Sequence, residues 1–330
     1  MLKTTFKSLA LFMAFFSLLS TTYAQKQKPV NLIFDSDIGP DYDDVGAMAV
    51  LHALADSGQV NILATVGSNQ SKYLAGVINV INTYFKRPNI PVGVVRGRAA
   101  NTPSWQGWDS LLVVKYPHKI TSNAQAQDAL SLYRKILAKQ LDGSVTIVTV
   151  GFMTNMADLW LSKPDQFSPL SGKELIKKKV KQLVCMAGRF PSGREFNVHI
   201  DPVSSKIVFD NWNTPIIFSG FEIGMRVHTG IPLIQNNTIQ NSPVKDAFAM
   251  AIPKAKEDEN GRMSWDETAV LVAIKGYESY YTVKEGHFIC NADGSNAWND
   301  SGKGHFKLIE KMPITEMEKV LNNLMMHQPR

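Results

Sequence analysis

The chain has 330 residues, 44% of them hydrophobic, which suits a packed globular core and excludes a disordered or collagen-like polypeptide. Its 35 basic and 29 acidic side chains give a formal charge of +6. That surplus is thin. Runs such as Lys177-Lys178-Lys179 read as solvated helix faces, and no aromatic-interleaved basic stripe argues for nucleic acid as a partner.

The first residues read as a targeting signal. Lys3 and Lys7 precede an apolar run from Leu9 to Leu19, and Thr22-Tyr23-Ala24 offers small residues to a signal peptidase. The run is shorter than the roughly 20 apolar residues of a membrane span. The expectation is an exported protein, periplasmic or secreted, cleaved near Ala24 and without stable membrane insertion afterwards. Residues 25–330 then read as a single domain, with no repeat or linker dividing them.

Beyond the signal, apolar runs alternate with amphipathic stretches. Strands are expected at Val30–Phe34, Val60–Val66, Val92–Val95, Val145–Val150, Leu183–Ala187 and Pro215–Ser219. Helices are expected at Val45–Ala55, Leu74–Phe85, Asp128–Leu141, from Met156 to Leu161, and at Val203–Asp210. Strands with little polar alternation, each followed by a helix, indicate an α/β fold: a mainly parallel open sheet covered on both faces. After Lys284, Gly286–Asn291 and His305–Met312 look like a small hairpin across the Asn291–Asn296 turn, with a closing helix at Thr315–Met326. Cys185 and Cys290, the only cysteines, read as free thiols, since Cys185 falls in an apolar strand.

In parallel sheets ligands collect at the carboxyl ends of the strands. The first such end carries Asp35-Ser36-Asp37-Ile38-Gly39-Pro40-Asp41-Tyr42-Asp43-Asp44, five carboxylates in ten residues. That much like charge in one turn points to a hard divalent cation bound by oxygen ligands. The form of Asp35-Ser36-Asp37 also admits a haloacid-dehalogenase-type phosphatase, with Asn291-Ala292-Asp293-Gly294 as its later acidic loop. No lysine follows a suitable strand to hold the phosphate.

Taken with later segments, the acidic loop resembles the inosine-uridine-preferring nucleoside hydrolase family. Those segments are Thr65-Val66-Gly67-Ser68-Asn69, Gly151-Phe152-Met153-Thr154-Asn155-Met156-Ala157, Met186-Ala187-Gly188, Glu195-Phe196-Asn197 with Asp201-Pro202, and Trp265-Asp266. The resemblance implies a Rossmann-like nucleoside hydrolase fold that cuts the N-glycosidic bond of ribonucleosides with water. It implies Ca²⁺ held by Asp37, Asp44, the Thr154 carbonyl and Asp266, with Asp43 as the proton acceptor. Asn69, Met186, Glu195 and Asn197 would line the ribose pocket, the last two from one face of a strand, and a homo-oligomer is compatible with it. Asp201 reads as a helix cap before Pro202.

Two departures from the family pattern stand out. The Gly188–Arg194 loop lacks an additional Asn that contacts ribose, and position 265 is Trp where a His would protonate the leaving base. A Trp there favours stacking against purines, with Trp105 or Trp108 as a second aromatic face. A non-catalytic nucleoside or sugar binder of the same fold is the other reading.

Overall fold

The computed structural model describes residues 28–329, so the signal expected over residues 1–24 lies outside them. The strands are β1 (Val30–Ser36), β2 (Val60–Gly67), β3 (Val92–Val94), β4 (Gln127–Asp128), β5 (Val145–Thr149), β6 (Val180–Met186) and β7 (Ser192–Arg194). They continue with β8 (Ile216–Ser219), β9 (His228–Thr229), β10 (Arg262–Met263), β11 (Tyr281–Cys290), β12 (Ser295–Asn299) and β13 (His305–Glu310). Among the described residues, eleven of them form one sheet in the order β4-β3-β2-β1-β5-β6-β8-β13-β11-β12-β7, and β9 pairs with β10 apart from it.

The expected α/β architecture is what the chain adopts. From β4 to β13 neighbouring strands are parallel. The central strands are buried on both faces because side chains alternate between two cores. Leu32, Phe34, Val148 and Val184 pack under helices that include Asp43–Asp56 and Trp265–Lys275, while Ile33, Ile147, Leu183 and Cys185 pack under Ala129–Lys139, Thr154–Leu161 and Pro202–Asn211. Both cysteines are free and buried. No described helix is long and apolar enough to cross a membrane.

The tail departs from the sequence expectation. The Asn291–Asn296 turn leads from β11 into β12, a strand the sequence pattern did not reveal, rather than into His305–Met312. Strand β13 instead lies between β8 and β11, parallel to one and antiparallel to the other. Without β13, β8 would expose a row of unpaired backbone groups; β13 satisfies them, and the hairpin extends the sheet. The closing helix, Ile314–Met325, buries Met317, Leu321 and Met325 against Asp43–Asp56.

Glu195 and Asn197 also differ in their setting. They do not alternate on a strand: Phe196–Ile200 is a short helix, and Glu195 caps it by accepting from the Asn197 and Val198 amides. A carboxylate at a helix N-terminus satisfies donors that a strand would have paired elsewhere. The expected cap at Asp201 is present, accepting from the Ser204 amide ahead of Pro202.

Candidate active site

Strand β1 is buried from Leu32 to Ser36, and it delivers the acidic loop onto the ends of β2 and β5. Gly151, just past β5, leaves the space that the Asp37 backbone occupies; any Cβ there would collide with it. Asp35 turns away from the opening. Its carboxylate accepts from Tyr133 (2.8 Å) and Asn155 (2.9 Å), and burial pushes its pKa up to about 7 against those bonds. The Ser36 hydroxyl donates to Asp44 Oδ1 at 2.5 Å. Asp43 and Asp44 then open the Asp43–Asp56 helix, whose N-terminus favours negative charge.

Asp43, Asp44 and Asp266 each bring a carboxylate oxygen within 4.8 Å of the others, and all three are buried. Burial first, and then mutual repulsion, holds Asp44 and Asp266 well above the usual carboxylate range. Asp44 Oδ2 has no hydrogen-bond partner. An over-charged, buried, all-oxygen donor set fits a hard divalent cation.

Asp37, expected as a ligand, is not in that closest group. Its carboxylate lines the same cleft and is raised by burial and by the charge of Asp44. Asp43, expected outside the metal's ligands, is in the group. Its Oδ1, however, accepts from two nitrogens of Arg262, at 3.1 and 3.0 Å. Burial pushes Asp43 up to about 6 and the guanidinium pulls the other way.

The cleft these groups line has a volume of about 400 Å³. Met186, Glu195 and Asn197 are among the residues that line it. Glu195 accepts from the amides of Asn197 (2.7 Å), Gly188 (3.1 Å) and Val198 (3.2 Å), yet burial still pushes it up to about 7. Asn197 Nδ2 donates to the carbonyls of Val150 and Met186. Trp265 faces the cleft half-buried, its indole N–H donating to the Phe221 carbonyl at 2.8 Å. Of the two other tryptophans considered, Trp105 lies at the mouth, 66% exposed, whereas Trp108 is fully buried in the core.

The side chains of Asn69 and Thr154 do not line the cleft. Asn69 is fully buried, donating to the carbonyls of Asp37 (2.8 Å) and Thr102 (2.9 Å) and accepting from the Thr102 amide (3.0 Å). In this arrangement its amide clasps the loop that bears Trp105 to the acidic loop, rather than offering itself to a sugar. The Thr154 hydroxyl donates to Asp201 at 2.5 Å.

The sequence model of the family described as "Inosine-uridine preferring nucleoside hydrolase" matches residues 32–310. The chain belongs to that family. Among curated relatives, the pyrimidine-specific ribonucleoside hydrolase RihA of Salmonella paratyphi B is 29% identical over 58% of this chain and 60% of its own length. The inosine-uridine preferring nucleoside hydrolase of Bacillus anthracis superposes with a TM-score of 0.68 at 15% identity, covering 90% of this chain and 99% of that one. A purine-preferring ribonucleoside hydrolase from Gardnerella vaginalis gives 0.67 at 17% identity over the same shares. At these identities the superpositions speak for the fold.

Family membership removes the phosphatase alternative. The Asn291–Asn296 turn lies in an antiparallel hairpin and is not part of the cleft, and Asp35 points into the core. Phe196, Phe221, Glu257, Arg262 and Met263 also line the cleft, and the sequence reading assigned none of them a role there. Phe196 stood inside the Glu195-Phe196-Asn197 run, and Arg262 left only the trace of a basic residue four positions before Asp266.

Proposed function

We propose that this member of the nucleoside hydrolase family is an exported, calcium-dependent ribonucleoside hydrolase that prefers purine nucleosides. The observation that carries the reading is one cleft with three facing chemistries. Its lining combines buried carboxylates, the polar Glu195 and Asn197, and the neighbouring rings of Trp265 and Phe221. A volume near 400 Å³ suits a nucleoside-sized ligand. The export reading rests on the sequence pattern of residues 3–24.

Calcium held by Asp37, Asp44, Asp266 and the Thr154 carbonyl would neutralise the cluster and make water there more acidic. Asp43 accepts a proton from the attacking water, and Glu195 and Asn197 orient the ribose hydroxyls. Water adds to the sugar carbon as the C–N bond breaks, giving free base and ribose. Trp265 cannot usefully donate a proton, but its face stacks a two-ring base more completely than a one-ring base. The relatives' names run both ways on base preference, so the purine preference rests on Trp265 alone.

The test is a panel of inosine, adenosine, guanosine, uridine and cytidine with calcium, assayed for reducing sugar on wild type and Trp265→Ala. Stacking worth about 1–3 kcal/mol predicts about a five- to 150-fold loss of purine kcat/KM in the variant. Uridine turned over as well as inosine by the wild type, or an unchanged variant, overturns the purine preference. Nucleoside binding without release of base would make the protein a binder.

A further inference from the structure

Among the described residues Arg262 is the one cationic side chain that lines the cleft, and its chemistry is unused by the reaction as described. Its backbone is fixed from both sides. Strand β10 pairs Arg262 with Thr229 of β9, and the next-but-one amide, Ser264, donates to the carbonyls of Gly224 and Val227. The guanidinium, 8% exposed, sits 5.2 Å from the Tyr42 ring centre and 5.0 Å from that of Trp265. Its nitrogens face three carboxylates: Asp43 twice through the same Oδ1, Asp41 at 2.7 Å, and Asp258 at 3.7 Å. Tyr42 holds the other Asp258 oxygen at 2.7 Å.

We infer that Arg262 is a positioning residue that holds Asp43 by one oxygen and so keeps it from becoming a ligand of the metal. The inference rests on the proposed role of Asp43 as proton acceptor. Asp43 lies as close to Asp44 and Asp266 as ligands of one ion must. Nothing in those distances separates a ligand from a base; the guanidinium does, because two of its nitrogens occupy Oδ1. Once Arg262 is removed, Asp43 is a buried carboxylate with no countercharge, and the nearest cation it can reach is the one bound by its neighbours. Lysine cannot replace it. One ammonium lacks the planar fork that contacts three carboxylates while lying between two aromatic rings.

The experiment compares wild type, Arg262→Gln, Arg262→Lys, Asp43→Asn and the Asp43→Asn/Arg262→Gln double variant. Calcium affinity is read by titration calorimetry, and kcat and KM on inosine in parallel. Both Arg262 variants should lose about a hundredfold or more in kcat with KM within about threefold of wild type. Arg262→Gln should bind calcium several-fold more tightly, as a fourth carboxylate joins the ion. In the Asp43→Asn background, Arg262→Gln should change kcat and calcium affinity by less than about twofold, because its effect runs through Asp43. Retained kcat, calcium binding unchanged or weakened in Arg262→Gln, or an additive loss in the double variant overturns the inference. If Arg262→Gln does not fold, Arg262→Lys, which keeps the charge but loses the fork, is compared by kcat alone, with and without Asp43→Asn, and a kcat loss that persists in the Asp43→Asn background overturns the inference. Should the wild type hydrolyse no nucleoside, the proposed function fails, but the calorimetric comparison still decides whether Arg262 withholds Asp43 from the metal.

Discussion

Replacing Asp266 with Asn should stabilise the metal-free protein while abolishing its response to calcium. The carboxylate oxygens of Asp43, Asp44 and Asp266 lie within 4.8 Å of one another. At that separation and an effective dielectric of about 20, each ionised pair repels by about 3.5 kcal/mol. Asp266→Asn removes two such pairs, about 7 kcal/mol for a fully ionised cluster at that separation. The real gain is smaller, because burial and repulsion already raise these carboxylates and proton uptake discharges part of the cluster. A net gain of about 2–3 kcal/mol corresponds to about 3–5 °C in melting temperature for a domain of this size. Calcium at a hundred times its dissociation constant should stabilise the wild type by about 2.7 kcal/mol, a similar shift. The assay is thermal melting in chelator and across a calcium titration, for both proteins. A variant that melts several degrees below wild type in chelator, yet keeps the calcium shift, would refute the electrostatic account of the cluster.

Asn69→Ala removes the clasp between the acidic loop and Thr102, so trypsin should cut faster at Arg96 and Arg98 while global melting falls by only a few degrees; unchanged cleavage would mean the loop is held elsewhere. Asp56 accepts from Arg87 and His327, both at 2.6 Å. Its own desolvation pushes its pKa up, but these bonds outweigh it and hold the group below the usual carboxylate value. A lowered folded pKa gives stability that is present above the unfolded value and lost as pH falls through the folded one. Asp56→Asn should therefore cost about 1 kcal/mol at pH 7, and the gap to wild type should close below about pH 4. Urea unfolding across pH measures it, and a gap that widens on acidification contradicts the pairing.

Much of the fold was legible because its signals are local. Buried strands are short apolar runs, and the helices that follow them have their own periodicity, so the parallel sheet and its two cores could be read segment by segment. The acidic loop was legible for the same reason: five carboxylates adjoin one strand end, and their repulsion is a fact of composition. What pairs with what was not. Strand β13 enters between β8 and β11 to satisfy an edge that exists only once the sheet is assembled. Glu195 and Asn197 fall in a stretch too short for its period to separate strand from helix, and three converging amides decide for the helix cap. The contact between Arg262 and Asp43 spans 219 positions, and no pattern along the chain marks it. Sequence by itself determined which residues carry charge at the strand ends. Only the tertiary structure decided which carboxylates face one another and which is held by a cation, because burial and Coulomb energy depend on distance in space rather than along the chain.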